Sequence, residues 1–507
     1  MKKRKAISDD TNIERTERKS KKNMVIGSLL GYIAIFVSVA YGLILTPRII
    51  DAVGASNYGL YGLATSIATL LLMDFGLSTT INTYLAKLRA AGDKNGVERF
   101  LSAIFKLYLL LDIIFVVFIT GVYFATPHLF GYDYSPDQIS TLQILILMIG
   151  GFALVSVPCS CFTGVISTYE KFSYIKLVDI IQKLLYFAFS ILSIHLGWGI
   201  IGVVTGNVAS GLFAVILRVI YTRIYLNVKL DLRKGVSKKE LRSILSFSVW
   251  SLLIAIFSRL VISITPFVLG VVSTDIQVTI FSLVITIESY IFMFGEMTSG
   301  FFLAKIARND ISGASEEEKK EHIQSLSEKI GKLQLVVIGL IICGFVSVGL
   351  EFMGLWLYNV QFTSDIETIA SADAQRIIYY CIIIICSYEI IHIPQLALQN
   401  EMFTNNHIKP MAIIAVIKAV INLSMSFVMS HFYGAIGAAI SIGVANIIEL
   451  VIANIAYKKY LKISLLHYFK SIYFKGGITL IVTLAIGLSL HFFLPLNDRI
   501  PIKFLVD

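Results

Sequence analysis

Four basic side chains, Lys106, Lys183, Arg259 and Lys418, sit inside stretches that are otherwise apolar. A charge in the middle of a bilayer costs roughly 2.5–3.5 kcal/mol on insertion scales, so such a group faces a bundle interior, a wet cavity or an opposite charge. Lys183 lies ten residues into its stretch, about 15 Å deep in a helix. Asp179, one turn earlier on the same face, offers it a local ion pair. Lys418 has Ile414 and Asn422 at the corresponding positions, so it needs an interhelical partner, water or a ligand. Arg259 has no carboxylate within four residues, which points to a cavity-facing role. Lys106 is near a cytoplasmic end and can snorkel. Arg48, after Pro47 at an outer end, either anchors that interface or joins the cationic set. Arg and Lys are the side chains that hold phosphate. Lys418, Arg259, Lys183 and Arg48 are therefore the candidate substrate-binding cations. Lys418 and Arg259 come first among them, because Lys183 has its own carboxylate.

Of the acids inside spans, Asp74, Glu288 and Glu389 fall nearest the midplane. Glu389 and His392 share a helix face beside Pro394. A carboxylate and a histidine there suit a relay for H+ or Na+, or serve as counter-ions to the basic set. These four residues, Asp74, Glu288, Glu389 and His392, are the candidate ion-coupling groups. No bound cofactor and no metal centre are expected.

The elements that must position these groups are membrane helices. The chain of 507 residues is 56% hydrophobic and 15% charged, against about a quarter charged in soluble domains. Apolar runs of span length recur near 24–46, 58–86, 100–125, 141–167, 173–196, 199–222, 244–270, 277–304, 331–357, 376–400, 410–430, 434–457 and 476–495. Sorting the loops by side places 35 of the 43 Lys and Arg residues on the amino-terminal side, four on the opposite side and four inside spans. That asymmetry puts the amino terminus in the cytoplasm. It also explains the net charge of +10 without nucleic acid as a partner. The five cysteines lie in apolar runs, with no zinc spacing and no disulfide framework. No cleavable signal peptide is read, because the first apolar run is too long.

The spans repeat. Lys183 and Lys418 are 235 residues apart, and each is followed sixteen residues later by Gly-x-Ile-Gly, at Gly199 and Gly434. Thr46-Pro47 in the first span matches Thr265-Pro266 in the seventh. Repeats of six spans keep their orientation, so the pseudo-two-fold runs along the membrane normal, and two such bundles enclose a cleft for alternating access. The expected organisation is a basic cytoplasmic tail (1–23), an amino-terminal six-helix lobe (24–222), a cytoplasmic linker (223–243), a carboxy-terminal six-helix lobe (244–460), and a linker with an extra transmembrane helix (461–507). Residues 305–330 are expected to form a separate surface helix capped by Ser315. The last residues could begin a fourteenth span.

Chemistry of other kinds is missing from the sequence. There is no Gly-x-x-x-x-Gly-Lys-Ser/Thr loop, no His-Glu-x-x-His and no large outer loop with catalytic groups. A membrane enzyme is therefore disfavoured.

The segment Thr46-Pro-Arg-Ile-Ile-Asp-Ala-Val-Gly-Ala-Ser-Asn-Tyr-Gly-Leu60, the following Asp74-Phe-Gly-Leu77 and the two Gly-x-Ile-Gly turns resemble the polysaccharide (Wzx-type) flippases. The resemblance implies the multidrug/oligosaccharidyl-lipid/polysaccharide exporter superfamily, with twelve or fourteen helices in two six-helix lobes. It implies a flippase for polyprenyl-pyrophosphate-linked oligosaccharide repeat units at the cell membrane, acting beside a polysaccharide polymerase. The cationic cleft would take the pyrophosphate and sugars while the lipid tail stays in the bilayer. The alternative is a cation-coupled multidrug exporter of the same superfamily.

Overall fold

The computed structural model describes residues 29–71, 85, 88–89, 92–130, 134–233, 238–306, 316–405 and 407–493. Asp74, the basic tail, Ser315 and the last fourteen residues lie outside these. The helices are α1 (Leu29–Val53), α2 (Ala55–Leu71), α3 (Lys94–Phe130), α4 (Pro136–Thr168), α5 (Phe172–His195), α6 (Gly199–Ile224), α7 (Lys238–Val272), α8 (Asp275–Ile306), α9 (Glu316–Trp356), α10 (Ser371–Cys386), α11 (Glu389–Thr404), α12 (Ile408–Ala456) and α13 (Leu465–Phe493). A hairpin of two-residue strands, β1 (Phe362–Thr363) and β2 (Thr368–Ile369), interrupts the helices between α9 and α10.

Ten helical segments among the described residues are long and apolar enough to cross a membrane, and α7, bent by 42°, makes an eleventh. Helix α12 is one of the ten but holds two spans, because Gly434 breaks it with φ 54° and ψ −132°. The chain is thus a multi-pass membrane protein whose spans are all helices. Within the described residues the expected spans fall on helices, with 376–400 divided between α10 and α11. Two expectations change. The surface helix of 305–330 is not separate: from Glu316 it runs without a break into the following span as a single helix of 41 residues. No proline occurs in that stretch to stop it. Helix α13 starts at Leu465, eleven residues before the apolar run.

The repeat is visible in the backbone. Gly199 and Gly434 both adopt left-handed φ, +59° and +54°, a conformation that side chains with a Cβ rarely take. The second glycine of each motif then lets the new helix start against the end of the old one. A Cβ on Gly202 would meet Ser193 and Trp198, and one on Gly437 would meet the Met429 carbonyl. The paired glycines therefore encode two equivalent helical hairpins, α5–α6 and the two parts of α12.

The described residues form two compact units. One is drawn from Met1–Thr46, Leu71–Phe124 and Ile144–Leu252, the other from Pro47–Leu70, Ala125–Gln143 and Leu253–Asp507. In the first, α5 packs along α6. In the second, α9 packs against α10, α11 and α13.

The second unit also contains α2, for a local reason. A Cβ on Gly59 would strike the Asp275 backbone, and one on Gly62 would strike Ser282. Two glycines three residues apart thus let α2 approach α8 closely. The fully buried Asp275 carboxylate opens α8, where negative charge is favoured. It accepts from Gln138 Nε2 at 2.8 Å and from the Ile276 backbone N–H at 2.9 Å. Gln138 Nε2 also donates to Ser56 Oγ at 2.7 Å, and Thr279 Oγ1 donates to the Ala55 carbonyl at 2.5 Å. Gln138→Ala takes away one donor from a buried carboxylate. It is expected to cost about 1–3 kcal/mol, read as a lower apparent Tm in detergent. An unchanged Tm would show that this network adds nothing to stability.

Candidate functional site

Charged residues collect at two levels of the membrane helices, one set in each unit. In the second unit the set is built from three helices, α8, α11 and α12, and the link between α10 and α11. Lys418, in the first part of α12, donates to Glu449 Oε2, in the second part, at 2.5 Å. The hairpin at Gly434 explains this pairing: Lys418 lies sixteen residues before the turn and Glu449 fifteen after it. Both side chains are largely buried, 17% and 18% exposed. Tyr388, between α10 and α11, donates its hydroxyl to the same Glu449 oxygen at 2.7 Å, and its ring lies 5.2 Å from the Lys418 ammonium. His392 of α11 stacks on Tyr388 with centroids 4.7 Å apart. Its Nδ1 is 3.1 Å from Glu389 Oε2, a carboxylate only 5% exposed. Glu288 of α8 is within electrostatic reach of Glu389 and Lys418. Three carboxylates, one lysine, one histidine and one tyrosine thus share one region, and carboxylates outnumber the fixed cation. No group of three or more His, Cys, Asp or Glu among the described residues is arranged to hold a metal ion. The set thus brings together side chains of the types that can exchange protons, carboxylate and imidazole, with a phenol bonded to one carboxylate.

In the first unit the arrangement is different. Asp179 is bonded to Arg218 of α6 at 2.6 Å and lies 3.8 Å from Lys176. Lys183, expected to share that carboxylate, has no ion pair or hydrogen bond among the described residues and is half-buried. The repeat accounts for this. Residue 449 corresponds to Ala214 in the first copy, and residues 179 and 218 correspond to Ile414 and Ala453 in the second. Each hairpin carries one ion pair, but at a different level. The level that holds Lys418 and Glu449 in one copy holds Lys183 and Ala214 in the other.

Among the remaining sequence candidates, Arg259 and Arg48 are both exposed and have no ion pair or hydrogen bond among the described residues. Asn422, one turn past Lys418, donates to Thr265 Oγ1 at 2.9 Å, which ties α12 to the Thr-Pro bend of α7. Sequence reading singled out none of Arg218, Tyr388 and Glu449, the last being the partner of Lys418. Equal distance from the glycine turn was the signal that could have found both ion pairs.

The sequence model of the family described as polysaccharide biosynthesis protein matches residues 24–300. The chain belongs to the polysaccharide biosynthesis protein family. No curated protein sequence matches it. Solved structures similar to this family member include an inward closed lipid II flippase MurJ, with TM-score 0.67 and 16% identity over 94% of this chain and 100% of that one. An inward-facing MATE family multidrug resistance transporter of the MOP superfamily matches with TM-score 0.62 and 15% identity, over 86% of this chain and 98% of that one. A MOP superfamily transporter from Pyrococcus furiosus matches with TM-score 0.62 and 15% identity, over 87% and 96%. The polysaccharide biosynthesis protein described here therefore has the fold of the MOP transporters, two lobes of membrane helices with α13 in addition.

Proposed function

We propose that this protein is a flippase that moves polyprenyl-pyrophosphate-linked oligosaccharide repeat units across the cytoplasmic membrane for surface polysaccharide synthesis. Its amino terminus is cytoplasmic, and its product passes to polymerase machinery at the outer face. The observation that carries this reading is family membership over 24–300, and the MOP fold supports transport by alternating access. Lys183, half-buried on α5 and without an ion pair or hydrogen bond among the described residues, is the proposed contact of the pyrophosphate. The set around Glu288, Glu389, His392, Lys418 and Glu449 is the proposed coupling site, taking up and releasing protons as the cycle turns.

The test is leaflet exchange of a fluorescent polyprenyl-pyrophosphoryl oligosaccharide in proteoliposomes, read by dithionite quenching from outside. The purified protein is expected to expose both leaflets of the labelled lipid. A neutral lipid-linked sugar without the diphosphate is expected to move at least tenfold more slowly. The excess of carboxylates around Lys418 favours one other reading, a cation-coupled drug exporter of the same fold. Movement of cationic dyes without any movement of the labelled lipid would decide for it.

A further inference from the structure

We propose that α13, the helix outside the two sets of six, holds the proline-interrupted turn of α11 that aims the coupling residues, with Tyr473 and Tyr468 as positioning residues. The inference rests on the coupling role given above to Glu389 and His392. These two residues sit on α11 on either side of a backbone defect. Pro394 has no N–H, so the Ile390 carbonyl loses its helical donor four residues on. Such a carbonyl inside a membrane must find another donor. Tyr473 of α13 supplies it: its hydroxyl donates to the Ile390 carbonyl at 3.2 Å and lies 3.4 Å from the Ile391 carbonyl. A turn earlier on α13, the fully buried Tyr468 donates to the Pro394 carbonyl itself at 2.6 Å.

The space for this contact is built in. A Cβ on Gly331 of α9 would meet both the Pro394 carbonyl and the Tyr468 hydroxyl, at 3.0 and 3.1 Å. Glycines elsewhere along the two helices do the same: Gly339 faces Leu480, Gly476 faces Leu335 and Gly487 faces Ser347. Close packing of α9 on α13 thus brings two phenols onto the proline turn of α11. The Ile390 carbonyl belongs to the residue after Glu389 and two before His392. A change in that turn therefore moves both side chains against their neighbours, which are Glu288, Cys386 and Tyr388 around Glu389, and Tyr388, Phe292 and Glu449 around His392.

Tyr473→Phe and Tyr468→Phe keep the ring and remove only the hydroxyl, so both variants are expected to fold, with a Tm lowered by the loss of one hydrogen bond. Two readings are taken on the full chain in proteoliposomes. The first is the rate of His392 modification by diethyl pyrocarbonate, followed by peptide mass spectrometry with His431 as internal control. The second is the pH profile of lipid exchange. Both variants are expected to change the His392 rate at least threefold with His431 unchanged, and to move the transport midpoint by about one pH unit. In a Pro394→Ala background, where residue 394 regains its N–H, Tyr473→Phe is expected to change neither reading. His392 rates equal to the parent in both variants would overturn the positioning role, whatever transport does. A changed His392 rate in a protein whose parent shows no pH dependence would keep that role and overturn the coupling reading instead.

Discussion

Lys418→Met alone is expected to destabilise the protein by about 3–5 kcal/mol, and Glu449→Gln alone by a similar amount, because each leaves an uncompensated charge at membrane depth. The two side chains are less than one-fifth exposed and share a single 2.5 Å bond. Tyr388 also bonds Glu449, so without Lys418 the carboxylate keeps one neutral donor in place of an ion partner. The double variant Lys418→Met/Glu449→Gln removes both charges and leaves a side-chain carbonyl to accept from Tyr388. It is expected to recover to within about 1 kcal/mol of the parent. The measurement is thermal unfolding of the purified protein in detergent for all four members of the cycle. A Lys418→Met protein as stable as the parent would show that the pair contributes nothing to stability. The double variant also separates stability from use. If the pair takes part in the cycle, the refolded double variant exchanges lipid without dependence on a pH gradient.

The path from sequence to this network shows what could be read in advance. Apolar runs long enough to span a bilayer located the membrane helices among the described residues but not the starts of α9 and α13, since length and composition decide whether a segment enters the membrane and not where its helix begins. The repeat rested on Gly199 and Gly434, and the backbone bears out that signal, since both glycines take left-handed φ. Side-chain pairing was harder. Local spacing offered Lys183 the carboxylate of Asp179, four residues away on one face. Arg218, thirty-nine residues on, takes it instead across the α5–α6 hairpin. Helical spacing reports only neighbours on the same helix, whereas a membrane charge is satisfied by whichever helix the turn brings beside it. The contribution of α13 was illegible for the same reason. Nothing in the sequence around Tyr473 says that its hydroxyl meets a carbonyl eighty-three residues earlier. Pro394 was visible as a helix breaker, but its orphaned carbonyl becomes a contact only once α9 and α13 are packed.

The same hairpin logic yields the second large effect. The Asp179–Arg218 bond fixes the register of two antiparallel helices, so residue 214, four before Arg218, stands opposite Lys183, four after Asp179. In the other copy that level holds Glu449 against Lys418. Ala214→Glu should therefore supply Lys183 with an intramolecular carboxylate. A lysine that binds pyrophosphate contributes about 1.5–3 kcal/mol through a charge-assisted bond. Lys183→Ala is accordingly expected to slow lipid exchange about tenfold or more, while Lys183→Arg keeps most of it. Ala214→Glu is expected to match the loss in Lys183→Ala although the lysine is still present, because the substrate must now compete with a built-in anion. Ala214→Gln, of equal volume and no charge, is the control for crowding at a buried position and is expected to remain active. Each variant is assayed in the proteoliposome exchange measurement with its Tm recorded alongside. Full activity in Ala214→Glu with an unchanged Tm would mean that the free charge of Lys183 is not what holds the substrate. Equal losses in Ala214→Glu and Ala214→Gln would assign the effect to packing between α5 and α6 rather than to the lysine.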